Sequence, residues 1–162
     1  INLIFECVDF FSIGISIKNN KNLNLQNNDN FNFLLNDVKE QCKKTYIGNK
    51  IVHMLIKNYR VDNLDYLTLP KNLGSKNFSL DLEIICLPNI IIKKIENILI
   101  RYQISLDKLV SFDYLRSFLI EDKDLIFVGK ELMEGYNDNE IQLARESRKN
   151  KGFFERFFNL FS

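Results

Sequence analysis

The chain has 162 residues, 46% of them apolar, and a formal net charge of +1 from 22 basic and 21 acidic side chains. That length holds one domain with its own core plus tails, and the near-neutral balance argues against a protein that grips nucleic acid through bulk positive charge. Cys7, Cys42 and Cys86 are widely spaced with no Cys-x-x-Cys pair, so neither a disulfide framework nor a zinc site is expected, and a reducing compartment suits them.

No apolar run reaches the roughly 18 to 20 residues of a membrane span, because Lys93, Lys94, Glu96 and Arg101 interrupt "IICLPNIIIKKIENILI". The chain is not expected to cross a bilayer. It opens on Ile1 rather than Met and shows no signal-peptide pattern, as an excerpt of a longer chain would.

In chain order, "INLIFECVDFFSIGISIK" reads as one strand or a strand pair, with Phe11, Ile13, Ile15 and Ile17 on the inward face and a bulge expected at Gly14. "NNKNLNLQNNDN" is a polar connection with no assigned role. Phe33, Leu34, Val38 and Cys42, with Leu35 alongside, recur at helical spacing, and Gly48 ends that segment.

"KIVHMLIKNYRVDN" is apolar on both alternating faces, as an interior strand would be. "NLDYLTLPKNLGSKN" reads as a loop. "FSLDLEIICL" alternates as a half-buried strand, and a helix follows Pro88 with Asn89 as its N-cap and Ile91, Ile95, Ile98, Leu99 and Tyr102 on its apolar face. A short strand at Lys108–Ser111 leads into a helical turn, and "EDKDLIFVGKEL" is expected to add an edge strand. The sum is an α+β fold: a small, mostly antiparallel sheet with two helices on one face. Residues 1–130 form the domain, 131–151 a polar linker, and 152–162 a separate amphipathic helix.

Chemistry is sparse. The one histidine, His53, lies inside a strand and is expected to be a packed or half-exposed strand residue. Asp81 with Glu83 sits on an outward strand face, and Glu121 with Asp122 in a loop, so solvated charge is the better reading of both pairs. The six glycines are scattered, without a phosphate-cradling pattern. No catalysis, cofactor, metal or nucleic-acid partner is expected.

The tail "KGFFERFFNLFS" is different. Wound as a helix, it places Phe153, Phe154, Phe157, Phe158, Leu160 and Phe161 within an arc of roughly 160° over a length of about 15 Å, with Glu155, Arg156, Asn159 and Ser162 opposite. Such a helix is too short to span a bilayer and suited to lying in its interface. Arg145, Arg148, Lys149 and Lys151 approach it against Glu146 alone, and each basic group near an anionic leaflet adds on the order of 1 kcal/mol. Partial burial of six side chains, each worth about 1.5 to 3 kcal/mol when complete, offsets the ordering of ten residues only narrowly. Weak, reversible anchoring strengthened by many copies is the expectation. The competing reading docks this helix on protein.

"KIVHMLIKNYRVDN", the loop with Pro70, "FSLDLEIICL" and "IIIKKIENILIRYQISLDKLVSFDYL" together resemble bacterial FtsA, the actin-like cell-division protein. His53, Tyr59, Val61, Asp62 and Pro70 match residue by residue, and "SLDKLV" falls where the family has a strand after its helix. The likeness covers roughly residues 1–121 and implies the family's SHS2-type insertion subdomain; the tail resembles the family's membrane-targeting helix. Departures are Glu83 where a His is common, Gln103 where a Gly usually ends the helix, and a 69–77 loop without the usual Gly-Met-x-Gly. The nucleotide-binding lobes and the subdomain that receives the FtsZ tail are not found in this chain. The resemblance implies a divisome adaptor on the cytoplasmic face of the bacterial inner membrane, with anionic lipid, other division proteins including FtsZ, and further copies of itself as partners. The runner-up is a soluble, PilM-like assembly or peptide-binding domain.

Overall fold

The structure, a computed structural model, describes residues 1–18, 28–70, 77–119, 124–141 and 143. In chain order the elements are β1 (Asn2–Phe5), β2 (Phe11–Lys18), α1 (Asn28–Thr45), β3 (Asn49–Val61), β4 (Leu64–Tyr66), β5 (Phe78–Pro88), α2 (Asn89–Arg101), β6 (Lys108–Ser111), α3 (Phe112–Arg116) and α4 (Leu125–Met133). β2, β5, β3 and β4 lie side by side in an antiparallel four-stranded sheet, while β1 and β6 form a separate parallel pair. The class is α+β, as expected.

Alternation decides which side chains meet. Phe11, Ile13, Ile15 and Ile17 of β2 register against Cys86, Ile84, Leu82 and Leu80 of β5, and this whole row faces α1, which contributes Leu35, Val38 and Cys42. The helix spacing read from the sequence holds for these three and for Leu34, which packs on the core, but Phe33 is exposed and Phe31 packs there in its place.

On β3 the alternation is broken twice, by register shifts between Ile51 and His53 and between Ile56 and Asn58. An extra residue at each point turns the following side chains over. Ile51, Met54, Ile56, Tyr59 and Val61 thereby all join the α1 side of the core, whereas Leu55 joins Ile85 on the other face. Gly14, by contrast, sits in an unbroken register opposite Glu83. The expected bulge is absent there.

Helices cover both faces rather than one. Leu55 and Ile85 leave apolar surface on the side away from α1, and Val110 of β6, Tyr114 and Leu115 of α3, and Val128 and Leu132 of α4 bury it, with Ile4 of β1 packed alongside. The segment expected as an edge strand is α4, with Asp124 as N-cap accepting from the Ile126 N–H. Gly129 sits close against neighbours in its interior: a Cβ there would lie 2.8 Å from Ile4 Cδ1 and 3.2 Å from Leu115 Cδ1, so these side-chain tips would have to shift.

The connections are also more ordered than the sequence suggests. Asp62 and Asn63 have φ of 49° and 68°, the two left-handed residues of a tight hairpin that adds β4 to β3, and Arg60 Nε holds Asp65 Oδ1 across it at 2.6 Å. α2 begins at Asn89 behind Pro88 with no side-chain cap, so Asn89 is not its N-cap. It ends when Gln103 takes φ 58° and the Ile104 N–H reaches the Leu99 carbonyl at 3.0 Å. Ile92 is its buried residue, while Ile98 and Tyr102 are exposed.

Candidate functional site

The side chains singled out for lipid binding, Arg148, Lys149, Lys151, Phe153, Phe154, Phe157, Phe158, Leu160 and Phe161, lie outside the described residues, as do Glu121 and Asp122. No helix of the described residues is long and apolar enough to cross a membrane. What the structure does show is how the chain is held just before that tail.

Residues 139–141 continue the sheet where the short β4 stops. The Ile56 N–H donates to the Asn139 carbonyl at 2.8 Å, and the Ile141 N–H donates to the Met54 carbonyl at 2.9 Å, bracketing an antiparallel bridge between Leu55 and Glu140. Strand alternation then sends Ile141, with Leu143, into the α1 side of the core and Glu140 to the opposite face. This stretch belonged to the expected linker, and the boundary expected at residue 130 falls inside α4.

On that opposite face Glu140 meets His53. His53 is buried, its Nδ1 lies 2.7 Å from Glu140 Oε1, and its Nε2 accepts the Ser111 backbone N–H at 3.0 Å. A backbone N–H can only donate, so Nε2 carries no proton in this arrangement and Nδ1–H donates to the carboxylate. Tyr114 stacks against the imidazole with ring centroids 4.4 Å apart and donates its hydroxyl to Glu140 Oε2 at 2.8 Å. Asn137 Nδ2 donates to the same hydroxyl at 2.9 Å, and Tyr59 donates to Asn139 Oδ1 at 3.2 Å. The polarity of "NDNE", which suggests solvent, serves buried partners.

The cluster is a clasp: both imidazole nitrogens are engaged within the fold, one by Glu140 and the other by the Ser111 N–H. The Tyr114 hydroxyl is pushed well above its ordinary range by burial first, which the hydrogen bond from Asn137 partly offsets and the Glu140 carboxylate reinforces. Burial, with Cys42 nearby, pushes the Cys86 thiol up to about 11, and burial raises Cys42 as well; thiols so held are poor nucleophiles and poor metal ligands. Asp81 and Glu83 do sit on the outward face of β5, where Asp81 accepts from Ser16 Oγ at 2.5 Å and Glu83 pairs with Lys57 Nζ at 3.3 Å. No group of three or more potential metal ligands occurs among the described residues.

An open groove of about 980 Å³ is lined by His53, Tyr114 and Glu140 of the clasp together with Ile51, Ile92, Lys39 and Lys93, and Leu143 lines it too. Sequence reasoning found His53 but not its partner, which is 87 positions away. The available signal was the histidine itself, since a buried imidazole needs a partner at each nitrogen. No family model and no curated protein matches the chain. The described residues define an α+β domain whose four-stranded sheet is extended at Leu55 by a bridge to Glu140.

Proposed function

We propose that the protein is an FtsA-like adaptor of the bacterial division septum, peripheral on the cytoplasmic face of the inner membrane. Its SHS2-like domain makes protein contacts, with FtsZ or other division proteins and with further copies of itself, and residues 152–162 lie as an amphipathic helix on anionic lipid. The observation that carries this reading is the tail's sequence: six large apolar residues spaced so that a helix would gather them on one arc with polar residues opposite, and Arg148, Lys149 and Lys151 just upstream.

Two features of the domain support the family resemblance. With β1 and the short β4 set aside, elements β2, α1, β3, β5, α2 and β6 follow the order strand, helix, strand, strand, helix, strand, β6 pairing with β1 rather than with the larger sheet. Gln103 takes the left-handed backbone that glycine favours, at the position where the resemblance implies a glycine. The reading assigns the chain binding rather than catalysis.

Sedimentation with vesicles of phosphatidylcholine and phosphatidylglycerol tests it. The full chain should pellet with anionic vesicles and Phe157→Asp should remain in the supernatant; equal pelleting of the two proteins would sink the proposal. The groove that Leu143 reaches favours a second reading, a PilM-like domain whose tail helix packs on protein. A tail resistant to protease without lipid, in a chain that ignores anionic vesicles at low salt, would select it.

A further inference from the structure

Strand β2 is the longest sheet edge that no other described residue covers. At the opposite side of the sheet the edge is closed, by the three residues of β4 and then by the bridge to Glu140. β2 keeps register with β5 through all eight of its residues, from Phe11 opposite Cys86 to Lys18 opposite Ser79. Of the devices that usually blunt an open edge, β2 carries only Lys18 at its end; it has no proline, no bulge and no inward-pointing charge, and it is not short. Its inward isoleucines, Ile13, Ile15 and Ile17, are only half-buried although they pack on the core, because one flank of each has no neighbouring strand among the described residues.

From this edge we infer that two copies of the chain pair through β2, antiparallel about a two-fold axis at Gly14, joining their sheets into one of eight strands. A two-fold contact demands that a strand complement itself, and the sequence FSIGISIK does. Centred on Gly14, the pairing sets Ile13 opposite Ile15, Phe11 opposite Ile17 and Ser12 opposite Ser16, so apolar meets apolar on the α1 face and hydroxyl meets hydroxyl on the other. Lys18 is the one charge in the strand, and this register puts it opposite Phe10, not opposite its own copy. The inference gives a structural form to the self-association in the proposed function, yet it needs neither the lipid helix nor a division partner.

Gly14 offers room for a probe, since a Cβ built there meets nothing within 4 Å, and because its partner on β5 is Glu83 the two charge signs must be compared with each other. In sedimentation equilibrium across a concentration series, the full chain should run as a dimer that dissociates on dilution. Gly14→Glu and Gly14→Lys each place like charges directly opposite and should weaken the dimer at least about fivefold, while an equimolar mixture of the two should recover it. Matching thermal unfolding midpoints would show that both variants fold. A monomer at every concentration with exchange-protected β2 amides would mean that another segment of the chain covers the edge. A dimer indifferent to both substitutions would place the contact elsewhere. Either result overturns the inference.

Discussion

His53 and Glu140, 87 residues apart, share a 2.7 Å hydrogen bond that ties the bridging segment at residues 139–141 to the centre of the sheet. The bond closes the domain because the same short segment also supplies backbone partners to Met54 and Ile56. Removing the carboxylate in Glu140→Ala leaves a buried imidazole donor and the Tyr114 hydroxyl without their acceptor, and a buried group so stranded costs about 1 to 3 kcal/mol. Urea unfolding should show that loss. Hydrogen exchange should quicken first at Ile56 and Ile141, and an unchanged exchange pattern would contradict the clasp.

High pH should loosen the domain. Tyr59, Tyr114, Cys42 and Cys86 all hold their protons more tightly folded than is ordinary for their type, chiefly through burial. A group whose folded pKa is raised gives stability that is whole below its unfolded value and is lost as pH climbs through the folded one. For Cys86 that window opens near the ordinary 9.0 and runs to about 11. Stability should therefore fall across this range, and fall less steeply in Cys86→Ala, measured as the pH slope of the unfolding midpoint rather than its absolute level.

Gly129 should tolerate nothing large. A valine would press on Ile4 and Leu115, and overpacking of this kind costs about 1 to 3 kcal/mol despite the poor helix propensity of glycine. Ile4→Ala in the same chain should recover part of the loss by opening the space. Thermal unfolding of the two single variants and the double variant would measure that coupling.

At the hairpin, Asn63 holds φ 68°. A β-branched side chain in that left-handed conformation costs about 1 to 2 kcal/mol, so Asn63→Val should lower stability by that order. Asn63→Gly should be neutral or better, and equal effects of the two would rule out the turn geometry.

The alternating strands and the first helix were legible because one face of each meets water and the other does not. Phe11 to Ile17, Phe78 to Ile84, and Leu35, Val38 and Cys42 carry that contrast directly. Leu125 to Val128 misled because a short unbroken apolar run has no period, and only the cap at Asp124 distinguished helix from strand. The stretch Asn137–Glu140 misled for the opposite reason: its polar side chains bond to buried Tyr114, Tyr59 and His53, partners that composition cannot reveal. The β3 bulges are likewise a property of pairing, not of local sequence. Of the site, the sequence displays the apolar face of the tail and His53 alone; the clasp exists only once distant segments meet.

Because Ile141 and Leu143 are stitched into the core, the domain cannot drift far from whatever Phe153 binds. The nine residues between Leu143 and Phe153 allow a reach of at most about 35 Å from one to the other even when fully stretched. A tail seated in a lipid surface would thus keep the folded body within roughly one domain diameter of it. Partners would then meet a protein confined to a thin layer rather than one sampling the bulk.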